Sequence, residues 1–214
     1  MQPHHIYIFT DTQGEIADRL VDFGFSEGSS RVHPGQGTVN RKFYFNNFFL
    51  EILWVINPAE LNSELIRATK LNERANYNYN GNSPFGLCLE NTTDTDLLFS
   101  DAHKYQPHFF PEGMAIDVLA NTDNPSLPWT FRLPFKGTKT APKEPTEHKN
   151  GIELLTLAEF EFTGIEQNDF LNHFISEEQI SFKKSDRIHL TLTFDQHKQG
   201  LEKSIDELQL TIKY

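Results

Sequence analysis

The sequence predicts an α+β fold built from repeated βαβββ modules. Two observations carry this expectation. Over residues 4–57 the hydrophobic pattern switches from a period of two to a helical period and back, in the order strand, helix, strand, strand, strand. The order then recurs more weakly, first over 84–137 and again over 150–214, with polar linkers at 76–84 and 137–150 between the passes. At 214 residues the chain is long enough for one domain assembled from such modules.

The first module opens on HIYIFT (5–10), where His5, Tyr7 and Phe9 share one face and Ile6 and Ile8 the other. DTQGEIADRLVDFGF follows as a helix. Thr12 and Glu15 stand at capping-box spacing, Ile16, Leu20 and Phe23 at helical spacing, and Gly24 is the expected stop. Short strands flank RVHPGQGTVN, whose Pro34, Gly35 and Gly37 mark a turn. RKFYF (41–45) alternates again, and FFLEILWVI (48–56) closes the module. A second helix begins at NPAEL, with Asn57 as N-cap and Pro58 as its first residue, and ends before the Asn-rich stretch at 76–84. In the second pass FGLCLEN, GMAIDVLAN and WTFRLPF read as strands and TTDTDLLFSDAHKY as a short helix. The third opens on IELLTLAEFEFTG. Thr163 and Glu166 repeat the capping-box spacing ahead of Phe170, Leu171 and Phe174, and ISFKK, RIHLTLTFD and LQLTIKY complete it.

Composition narrows the function. The net charge of −11 disfavours nucleic-acid binding and adsorption to anionic membranes. Nineteen phenylalanines against two methionines point to an aromatic core. Cys88 is the only cysteine, which argues against an intrachain disulfide or a thiolate zinc site. MQPHHIYIFTD lacks the regions of a signal peptide, and no apolar run approaches the ~20 residues of a membrane span, so a soluble cytoplasmic protein is expected.

One residue breaks the pattern of the strand that carries it. Glu51 is a carboxylate in the middle of FFLEILWVI. A buried, unpaired carboxylate is costly, so Glu51 has a cation partner, meets water, or is protonated. An ion pair with Arg41 or Arg132 is the structural reading. Arg41 shares a strand face with Phe43 and Phe45; if that face lines a cavity, Arg41 holds an anionic substrate or neutralises Glu51. His33, Gln36 and Asn40 are polar groups on a loop, where binding residues gather. Arg132, among Phe131, Leu133 and Phe135, calls for a carboxylate or an anionic ligand. Substrate contacts are thus expected from His33, Asn40, Arg41 and Arg132. His103, Tyr105 and His108 surround PHFFPEG, an aromatic segment that reads chiefly as core.

HHIYIFTD, LVDFGF, HPGQGTVNRKFYF and FLEILWV together resemble the vicinal oxygen chelate superfamily, in its branch of glyoxalase-like domain proteins, and SPFGLCLEN resembles that branch's second-module opening. The resemblance is good over 4–57, fair over 58–137 and weak over 150–214. It implies paired modules curled into a cupped mixed sheet around a metal or ligand site. His5 falls on the ligand position of the first strand and Glu51 on that of the last. Either later pass could complete the cup; pairing with the 150–214 unit places Gln209 in the set. The implied ligands of a divalent metal ion (Zn, Mn, Fe or Ni) are His5, Glu51 and Gln209, with water.

Two function classes follow. One is a metal-dependent lyase, isomerase or dioxygenase, in which an ion binds adjacent substrate oxygens and Glu51 is ligand or catalytic base. The other is a metal-free small-molecule binding protein like the bleomycin-resistance members. A homodimer is a further expectation, with strands such as HLTLTF pairing edge to edge.

Overall fold

Alternating apolar residues give β1 (Pro3–Phe9) and β4 (Phe49–Val55) two differently buried faces, and the two strands run parallel with Tyr7 opposite Glu51. The computed structural model describes residues 1–136 and 143–214. Between these strands come α1 (Glu15–Phe23), β2 (Arg31–His33) and β3 (Thr38–Tyr44). Beyond β4 the chain forms short helices α2 (Pro58–Leu61), α3 (Glu64–Thr69), α4 (Leu71–Ala75) and α5 (Tyr77–Asn80), then strands β5 (Phe85–Leu89), β6 (His103–Tyr105), β7 (Ile116–Leu119) and β8 (Trp129–Arg132). All eight strands belong to one curled mixed sheet, ordered β2-β3-β4-β1-β5-β8-β7-β6. The segment after 84 therefore extends the first module's sheet, through an antiparallel β1/β5 seam and a parallel β5/β8 pair.

The last part of the chain forms a second sheet. It comprises β9 (Leu155–Phe162), β10 (Ile180–Lys184), β11 (His189–Phe194), β12 (Glu202–Ile205) and β13 (Leu210–Lys213), with α6 (Asp169–Asn172) between β9 and β10. The order is β10-β9-β11-β13-β12. Ile6, Ile8, Leu50, Ile52, Phe85 and Leu87 from the first sheet share a core with Phe160, Leu190, Leu192, Leu210 and Ile212 from the second. Tyr7, Phe9, Leu53 and Trp129 lie in a separate cluster with Leu61, Ile66 and Leu71 from the short helices. The first sheet is thus covered on both faces, by the second sheet behind and by helices and loops in front.

Several local expectations are corrected. Thr12 does not cap α1: its hydroxyl pairs with that of Thr10 at 2.9 Å, and Gly14 takes the N-cap position without a side-chain bond. Thr163 and Glu166 form no capping box, because α6 starts later and Asn168 accepts from the Phe170 N–H. Asn57 caps α2 as expected, but the helix after it is broken, and Lys70 adopts a left-handed conformation between α3 and α4. The 76–84 stretch contains the turn of α5 rather than being all linker. The short helix of the second pass is one 3-10 turn at Thr93–Thr95, and β6 and β12 are strands the pattern does not announce. HLTLTF is β11, at the centre of its sheet, so it presents no free edge. The linker expected over 137–150 falls partly outside the described residues. Its described end packs on the first module, where His148 Nδ1 accepts from Ser26 N–H at 2.9 Å.

Candidate functional site

With Ile6, Ile8, Leu50 and Ile52 facing the second sheet, period-two alternation turns His5, Tyr7, Glu51 and Leu53 to the opposite face. There they line a cavity of about 200 Å³. The β2–β3 hairpin contributes Arg31, His33, Gln36, Asn40 and Lys42, and the later strands add Tyr105, Ile116, Trp129 and Phe131. Pro107, Phe109 and Phe110 close one side. The second sheet contributes nothing to the lining.

Two glycines permit this arrangement. Gly86 lies opposite Tyr7 across the β1/β5 seam, and a Cβ there would sit 1.9 Å from the tyrosine ring. Gly37 has φ +75° and would place a Cβ 2.2 Å from the Asn57 carbonyl oxygen, so only glycine lets the hairpin tip fold against the start of α2.

Glu51 is 7% exposed. One carboxylate oxygen accepts from Asn40 Nδ2, while the side-chain Oδ1 of Asn40 accepts from the Arg31 N–H at 2.7 Å. Its other oxygen lies 3.8 Å from His5 Nε2. The His5 ring stacks on Phe49 with centroids 4.3 Å apart. Lys42 faces Glu51 across the β3/β4 pair. Burial raises the Glu51 pKa, and Asn40, Lys42 and Arg31 act against that rise. The answer to its placement is therefore a hydrogen-bonded carboxyl in a cavity with cations nearby. Neither Arg41 nor Arg132 is its partner.

His33 holds a second polar group in place. Its Nδ1 is 2.9 Å from the Thr38 hydroxyl, which also accepts from Gln36 Nε2 at 2.9 Å. Burial, with Arg31 and Lys42 adding to it, lowers the His33 pKa to about 4, so the ring is neutral at physiological pH. Tyr7 is buried, and its hydroxyl has no partner among the described residues. The Arg31 guanidinium stacks over Phe109 at 4.8 Å.

Of the residues singled out from sequence, His5, His33, Gln36, Asn40 and Glu51 come together here, and Tyr105, read chiefly as core, lines the cavity as well. Arg41 does not. Phe43 and Phe45 belong to the core behind the sheet, and Arg41 follows them to that face, where it binds both oxygens of Glu27 at 2.6 and 2.5 Å and Asp18 at 2.7 Å. Arg132 is held by Asp117 and Asp96, each at 2.8 Å, outside the cavity lining. Gln209 ends the 3-10 turn just before β13 of the second sheet, in a groove with Tyr77 and His189. Missed in the sequence were Tyr7, Arg31 and Lys42. The alternation that sends Phe43 inward would have put Asn40 and Lys42 on the cavity face.

The chelated ion implied by the resemblance does not fit this donor set. His5 and Glu51 stand as a pair, and the later strands present Trp129 and Phe131 to the cavity instead of further ligands. Lys42 and Arg31 also act on Glu51, and cations there oppose a dication.

No family model matches the sequence, and no curated protein matches it. Among solved structures, the chain is similar to a hypothetical protein from Staphylococcus aureus at 13% identity, with TM-score 0.60 over 99% of this chain and 97% of that one. It also matches a hypothetical protein from Bacillus halodurans at 10% identity and TM-score 0.43, over 66% of this chain and 98% of that one. The first likeness shows the fold alone, across both sheets. No helix among the described residues is long and apolar enough to cross a membrane.

Proposed function

We propose that the protein binds a small organic anion in the cup of its first sheet, as a glyoxalase-like member of the vicinal oxygen chelate superfamily that needs no metal at Glu51. The observation carrying this reading is Glu51 itself: a buried carboxyl facing a cavity with aromatic walls, held by Asn40 and flanked by Lys42 and Arg31. The strand order supports the superfamily reading. β1–β4 and β5–β8 extend in the same order on either side of the β1/β5 seam, each with its first and last strands parallel, and a 3-10 turn stands where the second helix would be. The cations attract the ligand's charge, the rings of Phe49, Phe109 and Phe131 accept a planar body, and Glu51 and His33 orient its polar atoms.

A second reading is enzymatic. A carboxyl with a raised pKa beside a substrate is suited to moving a proton, which fits isomerase or lyase chemistry by general acid–base catalysis better than dioxygenase chemistry. Glu51 would then be the proton-transferring group, and Lys42 and Arg31 would stabilise a developing oxyanion.

Thermal shift against aromatic and enolisable carboxylates, each beside its uncharged amide, tests the binding reading. A ligand at 100 times its Kd stabilises by about 2.7 kcal/mol, a rise of several degrees in Tm. Carboxylates that raise Tm in the wild type but not in Arg31→Ala/Lys42→Ala support the reading. Equal shifts by acid and amide, or none across the panel at millimolar concentration, would overturn it.

A further inference from the structure

The start of β1 carries a cluster that shares only His5 with the cavity lining. His4 and His5 are consecutive, and in a regular strand their side chains would point to opposite faces. The pairing of β1 with β5 shifts register between Pro3 and His5. The two imidazoles then meet edge to face with their Nδ1 atoms 2.8 Å apart. Directly opposite His5 in the antiparallel pair is Cys88, which is fully buried. One ligand atom from each of the three residues lies within 4.8 Å of the others.

Against the expectation from a single cysteine, the two imidazoles and the Cys88 thiolate together form a donor set for a borderline-soft ion, and zinc is the common choice. Two nitrogens sharing one zinc would stand about 3.3 Å apart, given Zn–N bonds of roughly 2.0–2.1 Å. The histidine pair therefore needs to open only slightly. We infer that His4, His5 and Cys88 bind a zinc ion at the β1/β5 seam. Binding releases the Cys88 thiol proton, and the ion compensates the buried thiolate.

The second nitrogen of His5 ties this site to the cavity. Metal-bound histidines commonly donate their other ring N–H to a carboxylate, which fixes the tautomer. His5 Nε2 stands 3.8 Å from Glu51, longer than a hydrogen bond, and the ring closes that distance when it binds the ion. Glu51 is then a positioning residue for the zinc ligand rather than a ligand. Three protein ligands leave a fourth coordination position open to water or a small molecule, as in zinc sites that do chemistry. His4 and Cys88 do not line the anion cavity but His5 does, so the site adjoins the proposed anion cup and shares one side chain with it.

The test is cobalt(II) titration of untagged apoprotein, followed by displacement with zinc. The expected result is stoichiometric uptake with a near-ultraviolet thiolate-to-cobalt charge-transfer band. Cys88→Ser should abolish the band, and His4→Ala should weaken binding at least tenfold. Because Cys88 is fully buried and its substitution risks the fold itself, the partly exposed His4 supplies the second variant, with circular dichroism checking both. Glu51→Gln should keep the band but bind cobalt roughly 10–100-fold more weakly. No band in the wild type, or undiminished binding in His4→Ala, overturns the site. Unchanged affinity in Glu51→Gln overturns the positioning role. Carboxylate-induced thermal shifts surviving in His4→Ala would keep the two proposals distinguishable.

Discussion

Glu51 and His33 titrate against the fold in opposite directions. Burial raises the Glu51 pKa, so the folded state retains its proton at pH values where the unfolded chain has lost it. Stability from this group is full below the unfolded carboxyl pKa and falls as pH rises above it. Glu51→Gln removes that slope and keeps an acceptor for Asn40, so it should raise stability at neutral pH. Glu51→Ala leaves the Asn40 amide unpaired and should cost about 1–3 kcal/mol relative to Gln. His33 behaves the other way. With a folded pKa of about 4, it binds its proton later than the unfolded chain. Stability is then lost as pH falls from about 6.5 to 4, by on the order of 3 kcal/mol. Urea denaturation across that range should show a flatter profile for His33→Gln than for the wild type; parallel profiles would count against a buried neutral imidazole.

The elements around the cavity owe their positions to backbone approaches that tolerate little change. Gly86 lets the Tyr7 ring lie across β5, where any side chain would overlap it. Gly86→Ala should destabilise by about 1–3 kcal/mol or more, since the obstacle is a packed ring, and should shift Tyr7 in the cavity. Tyrosine fluorescence and anion affinity would both register it. At the start of α2, Asn57→Ala removes the cap on Ala59 and Glu60 and should cost about 1 kcal/mol, read from the denaturation midpoint. That cap was readable from the sequence because Asn, Pro and Glu act within one turn. The capping boxes at Thr12 and Thr163 share the spacing but do not form. In one case a neighbouring hydroxyl competes for the threonine; in the other a later asparagine starts the helix.

At the scale of the molecule, the second sheet makes the first one two-sided. Phe160 packs 6.1 Å from Phe85 and stacks on Phe182 at 5.4 Å, centroid to centroid. Phe160→Ala should cost about 3–5 kcal/mol. The variant that remains folded should bind its anion with unchanged affinity, because nothing from the second sheet reaches the cavity. A matching loss of affinity would mean that the sheet also shapes the cup. Burial on both faces also explains the error at Arg41. Where one face is solvated, polar residues identify it; in β3 both faces carry apolar and polar residues, and alternation says only that Arg41 and Phe43 go together.

The sequence alone was enough for the features that depend on near neighbours. The period of two in β1 and β4 separates His5 and Glu51 from the isoleucines, and Asn57 and Gly24 bound their helices, because these signals span a few residues and carry their own geometry. Choices depending on distant partners had no such signature. Pairing β5 with β1 brings Cys88 opposite His5, the back core claims Phe43, and the short loop of Phe109 and Phe110 closes the cavity. Gln209 goes to another sheet. Each is set by which strands find one another across dozens of residues, and that selection follows from packing the whole core rather than from any local pattern.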